Sequence, residues 1–253
     1  MKLNLYKKIF LLALLSISSV VLRAADYYLS TSGDDTKDGL SQSNAWKTLS
    51  HAVSVLKAND KLFIAAGNYS GSLNVGVALT VSVDGTVRVD HLRMNAGSLS
   101  LEGTNSALLN VKDSFVLTNG IITVNTSSSL HALATCGLKG GNKNSFVIGG
   151  YAVHNVNSGG RKFLWHIGVA NQYRPVQMEG FDQPSSLDHW FHAEYVYANP
   201  PSLPTLPSAT RNISKTGYWY VKSSAGPTQA RAFEMSFYYD SVTADDGVYD
   251  APK

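Results

Sequence analysis

Along most of the chain, hydrophobic and polar positions alternate with period two over short stretches, and over one stretch they recur with helical spacing. The helical stretch is residues 46–56. There Trp46, Leu49, Ala52, Val53 and Leu56 share one side, and Lys47, Ser50, His51 and Ser54 share the other. Before it, residues 27–30 read as a strand, followed by a polar loop over residues 32–39 whose Gly33 and Gly39 permit tight turning. After it, Asn59 and Asp60 stop the helix, residues 61–66 read as a second strand, and Gly67-Asn68-Tyr69 makes a turn.

Short strands at close intervals follow, over residues 73–75, 79–83, 87–89, 92–94, 99–101, 108–111, 115–117 and 121–124. Gly76, Asp84-Gly85, Asn95 to Gly97, Gly103 to Asn105 and Asn119-Gly120 separate them as turn residues. Leu79, Val81 and Val83, like Val87 and Val89, point one face inward. About three such strands per coil of a solenoid make two to three coils. A set of antiparallel hairpins is the alternative, because Asp84-Gly85 and Asn119-Gly120 are favoured two-residue hairpin turns.

Composition agrees with short strands and turns: 21 Gly, 8 Pro and 13 Tyr in 253 residues, with 44% hydrophobic and 15% charged residues. It argues against a helical bundle and excludes coiled coil, collagen and a polytopic membrane protein. The first 24 residues stand apart. Lys2, Lys7 and Lys8 precede an apolar stretch over residues 9–22, and Arg23-Ala24-Ala25-Asp26 closes it with small residues, the pattern of a secretory signal peptide. Fourteen apolar residues reach only about 21 Å as a helix, short of a roughly 30 Å hydrocarbon core. The formal charge of +3 comes from 21 Lys and Arg against 18 Asp and Glu. Lys2, Lys7, Lys8 and Arg23 all precede the expected cut and no acid does, so the mature chain keeps 17 against 18, a charge of −1. That balance removes the electrostatic argument for nucleic acid.

Cys136 is the one cysteine, so no intramolecular disulfide forms, and the expectation is a buried, inert thiol. Its position also argues against a lipid-anchored cysteine at the signal cut. Sequons begin at Asn68, Asn125 and Asn212.

The words YYLSTSGDDTKDGLSQSNAWKTLSHAVSVLKANDKLFIAAGNYSG, residues 27–71, resemble the N-terminal cap of right-handed parallel β-helix proteins of the pectate-lyase-like superfamily. Asn59-Asp60 stands where Gly-Asp is usual there, and Asn68-Tyr69 where Thr-Tyr is usual. The resemblance implies a solenoid whose open first coil is plugged by an amphipathic helix. Relatives of that kind include calcium-dependent polysaccharide lyases, which take a uronate proton with a Lys or Arg base on central coils. The corresponding residue types here are Asp84, Asp90, Asp113, Arg88 and Lys112, and ordinary solvated strand positions account for them. Asp34, Asp35 and Asp38 on the Gly loop are the metal candidates, because hard carboxylate oxygens on a flexible loop suit calcium.

From about residue 130 the chain reads differently. Ser145-Phe146-Val147-Ile148-Gly149, then residues 163–168 and Tyr173-Arg174-Pro175-Val176, resemble a β module of secreted, Bacteroidetes-type surface proteins, and TGYWYVKSS and AFEMSFYYDS resemble its later strands. The resemblance spans residues 138–245 and implies a β-sandwich-like surface or secretion module. In LDHWFHAEY, Asp188, His189, His192 and Glu194 would suit a metal on a helix, whereas on a strand His189 and His192 face opposite sides. Tyr218, Trp219 and Tyr220 offer flat rings for glycan stacking. Four prolines in residues 200–207 make a stiff, extended loop. The sequence ends just after a strand and an acidic turn, so the expectation is a module that continues further.

The expected protein is therefore mainly β. It has a signal peptide over 1–24, a capped, short right-handed parallel β-helix over 25–129, and an incomplete β-sandwich-like module over 130–253. It is expected to be secreted or held at the cell surface, to have no catalytic set, and to contact an extracellular polysaccharide or cell-surface component. The N-terminal part of a polysaccharide lyase is the alternative.

Overall fold

The cap is built from residues close together in the chain. Strand β1 (Asp26–Leu29) leads through the polar loop to helix α1 (Leu49–Val55). The helix is shorter than its apolar spacing predicts because Thr48 takes extended geometry and becomes the N-cap, its hydroxyl accepting the His51 N–H at 3.2 Å. Trp46 stays outside the helix. It bridges to Leu29, is 2% exposed, stacks on Tyr27, and donates its indole N–H to the Lys37 carbonyl. Asn59 adopts φ 72°, the left-handed region open to Asn as well as Gly. Buried Asp60 accepts the N–H groups of Lys57 and Ala25 and so ties the end of the cap to the start of β1.

The structure, a computed structural model, describes residues 24–155, 161–170, 172–181, 189–198, 217–224 and 234–238. Residues 1–23 of the expected signal peptide, Asp188, the proline-rich residues 200–207 and Asn212 lie outside them. After the cap come β2 (Lys61–Ile64), β3 (Gly67–Val75), β4 (Leu79–Met94), β5 (Ser98–Leu117), β6 (Ile121–Val124), β7 (Ser128–Ala132), β8 (Gly137–Gly140), β9 (Val147–Ile148), β10 (Tyr151–Asn155), β11 (Arg161–Trp165) and β12 (Ile167–Val169). All of these except β11 pair in parallel with a neighbouring coil. The long strands β4 and β5 turn two corners each, and six of the eight expected short strands are their straight segments.

Three faces result. The first stacks β1, β2, residues 79–83, residues 98–101, β6, β9 and β12. The second stacks residues 67–69, 86–89, 107–111, β7 and β10. The third stacks residues 72–75, 91–94, 114–117 and β8. The protein is thus a short parallel β-helix with a capping helix and about five turns. Its core is a set of like-on-like columns: Val81 on Leu101, Val89 on Val111 on Ala132, and Leu73 on Leu92 on Phe115, each at most 2% exposed. Each such aliphatic side chain contributes about 1.5–3 kcal/mol by burial. Asp84-Gly85 is a corner of a coil, Gly85 taking φ 70°. The strands on either side of it pair with the next coil and not with each other.

Parallel pairing does not stop at residue 129, where the two units were expected to meet. It runs on through β7, β8, β9 and β10 to β12. The chain reverses only after Val169. β12 pairs antiparallel with β13 (Gln172–Tyr173), and β14 (Val176–Phe181) pairs antiparallel with β11. β15 (His189–Val196) joins β10 antiparallel, β16 (Tyr218–Ser223) joins β15, and β17 (Glu234–Phe237) joins β14. The second face therefore grows two antiparallel strands, and β11-β14-β17 form a separate small sheet. Trp219 meets Phe237 of that sheet at 5.1 Å, so the C-terminal strands are sandwich-like. Among the described residues no helix is long and apolar enough to cross a membrane.

Candidate functional site

The sequence-predicted candidates fall in different places. On the cap loop, Asp34 accepts the N–H and hydroxyl of Thr36, and Asp38 accepts the Leu40 N–H. Asp35 accepts the N–H groups of Lys47 and Thr48 and the Thr48 hydroxyl. Burial pushes the Asp35 carboxyl up, and the hydrogen bonds from Thr48 and Lys47 outweigh it, so the group lies below the usual carboxylate value. The Thr36 hydrogen bonds lower Asp34 as well. Each carboxylate thus holds its own turn or the start of α1. Among the described residues no three His, Cys, Asp or Glu side chains group to hold a metal ion.

The five residues of the lyase type do not converge. Asp84 sits at the corner between the first and second faces, where it accepts from Thr104 and Asn105. Asp90, Lys112 and Asp113 gather at the corner between the second and third faces, Lys112 lying 4.0 Å from Asp90 and 3.5 Å from Asp113. Arg88 stands between them, on the outward side of the second face.

That outward side is where chemistry collects. Period-two alternation turns Val87, Val89, Leu109, Val111 and Leu130 inward and leaves Asn68, Arg88, Asn110 and His131 side by side across successive rungs. The row continues through Ala152 to His192 and Lys222, because β10, β15 and β16 keep the same register. Beside it run His154, Trp190, Glu194 and Tyr220. Ala152 is fully buried although it stands on this outward side, flanked across the ladder by His131 and His192. His131 Nδ1 lies 3.0 Å from His154 Nε2, the His131 ring lies 5.5 Å from the Trp190 ring, and the Lys222 ammonium sits 5.7 Å from Trp190 on its other neighbour strand. One continuous sheet thus carries cations, amides, imidazoles and aromatic rings on a single surface.

The electrostatics of the surface are mild. Burial, helped by Lys222, pushes the His192 imidazole down to about 4, and its Nε2 lies 3.9 Å from the Glu194 carboxylate. Burial raises Glu194, and Lys222 partly opposes that shift. At neutral pH His192 is therefore an uncharged hydrogen-bonding group, and Glu194 and Lys222 balance.

Of the three predicted stacking residues, Tyr220 lies on this surface and is 42% exposed. Trp219 turns to the opposite side, donating its indole N–H to the Arg174 carbonyl and packing edge-on against Tyr195. Tyr218 faces with Tyr220 but opposite Val196, at the end of the strand pair. The segment His189–Val196 is a strand and not a helix, so the helical spacing expected to bring His189 and His192 together does not arise. Sequence reasoning missed the His131–His154 contact. The signal that could have found it is the coil period, since His131 follows Asn110 by 21 residues and precedes Ala152 by 21.

Cys136 is half-buried, and burial, with the Asp113 charge, pushes its thiol up to about 12. It is protonated and inert at neutral pH.

A family model described as "Protein of unknown function (DUF1565)", a parallel β-helix-like family, matches residues 31–165. No curated protein and no solved structure matches the chain. The match begins in the cap loop and ends with β11, crossing residue 129 without a break, as the parallel ladders do. Since it covers more than half of the 253 residues, the chain belongs to the DUF1565 family.

Proposed function

We propose that this is an exported, surface-associated protein that contacts glycan without cleaving it, through the outward side of the second face. The observation that carries the reading is the single surface on which Asn68, Arg88, Asn110, His131, Ala152, His192 and Lys222 stand in register across seven strands, with His154 and Trp190 paired on one side of that row and Tyr220 on the other. Rungs about 4.8 Å apart set donors and acceptors at a repeat along the solenoid axis, so an extended polysaccharide lying along that axis meets one after another. Trp190 and Tyr220 supply the flat apolar rings that suit a pyranose face. The basic, apolar and small-residue order of the first 24 residues supports export. The resemblance of residues 138–245 to modules of secreted Bacteroidetes-type proteins supports a place at the cell surface. Calcium has no role in this reading, since Asp34, Asp35 and Asp38 already accept hydrogen bonds within the cap.

A glycan array probed with the chain lacking residues 1–24 tests the reading. Binding to at least one extracellular polysaccharide, weakened about tenfold or more by Trp190→Ala, is the expected outcome. Absence of binding across neutral and acidic polysaccharides defeats it. Release of unsaturated sugars from a uronate polymer with calcium supplied would instead establish the lyase alternative.

A further inference from the structure

Asn110 is the anomaly of the outward row. Period-two alternation turns it outward, between Arg88 on one rung and His131 on the next, yet it is only 6% exposed. Its side-chain amide has no hydrogen-bond partner among the described residues. The amide atoms are not sealed, so a small polar group can reach them. An amide stripped of most of its water and given nothing in exchange costs free energy, and native structures rarely leave one so. Beside it Arg88 is exposed, and its guanidinium is likewise without an ion pair or hydrogen bond among the described residues.

The donor and acceptor inventory of this pair selects its ligand. Asn110 presents a carbonyl oxygen that needs a donor and an NH₂ group that needs an acceptor, whereas Arg88 only donates. A carboxylate or sulfate only accepts, so it would leave the Asn110 oxygen unmatched. A hydroxyl group both accepts and donates, and so matches both residues. Charge points the same way. At the adjoining corner Lys112 lies 4.0 Å from Asp90 and 3.5 Å from Asp113, so these two acids offset Arg88 and Lys112 together. Glu194 offsets Lys222 across the next strands. Imidazoles aside, the surface has no net positive charge to hold a polyanion.

Resting on the glycan-contact reading, we propose that Arg88 and Asn110 form the specificity centre of that surface and take two adjacent hydroxyls of a neutral polysaccharide. The Arg88 guanidinium donates to one hydroxyl, which in turn donates to Asn110 Oδ1, and Asn110 Nδ2 donates to the neighbouring hydroxyl. The two residues stand on rungs about 4.8 Å apart, a separation that one sugar edge can bridge.

Isothermal titration of the full chain with a neutral galactomannan, a neutral β-glucan, polygalacturonate and a sulfated galactan tests the assignment. At least one neutral polymer should bind more tightly than either anionic one, with affinity changing less than about threefold between roughly 50 and 500 mM salt. Asn110→Leu keeps the shape and removes the unmatched amide, so binding should weaken about tenfold while the melting temperature holds or rises. Arg88→Gln keeps a donor without the charge and should weaken binding less, about threefold. Binding to none of the four polymers defeats the glycan-contact reading itself, and the assignment with it. Binding confined to the anionic polymers leaves that reading standing and overturns the neutral-sugar assignment. A lower melting temperature or failure to fold for Asn110→Leu, or unchanged binding, would show the amide to be structural and overturn it as well.

Discussion

The two ends of the solenoid are closed by different means. At the N-terminal end, residues 26–60 make the whole closure: α1 lies over the first coil, Trp46 is sealed against Tyr27 and Leu29, and Asp35 and Asp60 fasten the loop ends. At the C-terminal end no segment of that kind exists among the described residues. There β15 and β16 extend the second face, and β14 and β17 build a facing sheet, through contacts such as Trp219 with Arg174, 45 residues away. A local closure can form as soon as its own residues are ordered. A closure built on distant partners must wait for the coils it rests on, since loop-closure entropy has to be offset by contacts already made.

Removing the key aromatic at each end should show the largest effect. Trp46→Ala empties a fully enclosed site, and its expected cost is about 3–5 kcal/mol, with loss of cooperative unfolding of the whole solenoid. Trp219 is only half-buried, so Trp219→Ala should cost about half as much or less and leave the first-face amides protected from hydrogen exchange. Equal effects from the two substitutions would abolish the distinction.

Between the ends, the corners of the coils sharpen it. A Cβ at Gly97, where φ is 75°, would lie 2.4 Å from the Val77 carbonyl carbon, so Gly97→Ala forces one backbone off another. At Gly85, φ 70°, the nearest atom would be Ala66 Cβ at 3.6 Å, so only the left-handed strain remains, about 1–2 kcal/mol. Thermal melts should rank Gly97→Ala well below Gly85→Ala.

Protonation separates the ends again. Burial pushes both His166 and His192 down to about 4, and both belong to the C-terminal half. Between pH 6.5 and about 4 the unfolded chain binds protons that the folded chain refuses, so stability falls as pH falls through that window. Hydrogen exchange at pH 5 should show β10, β12 and β15 loosening before β2 and β4. The smallest effect is chemical: Cys136 should alkylate slowly at pH 8 in the native protein and rapidly once unfolded.

How much of this could be read in the sequence follows the same division. The cap was legible because its strand, loop and helix each carry a local signal, although Trp46 was placed in the helix that Thr48 in fact begins. The coils over residues 79–124 were legible because Leu79, Val81 and Val83 and their successors alternate clearly. Past residue 129 the rungs shrink, β9 to two residues and β12 to three, too few to show a period. The phrase from Ser145 to Gly149 then suggested a separate module, while its Val147 actually continues the column of Ile122. The outward row from Arg88 to His192 was invisible for another reason. Its members are 21 or more residues apart, and only the coil register, or the antiparallel return of β15, puts them side by side.

The most direct test of the glycan-contact account is hydroxyl-radical footprinting of the chain with and without the polysaccharide that the array selects. The account predicts protection of Trp190, His154 and Tyr220 on the second face, with Tyr28 and Phe63 on the outward side of the first face unchanged. Protection of Tyr28 and Phe63, with Trp190 and Tyr220 still fully reactive, would contradict it.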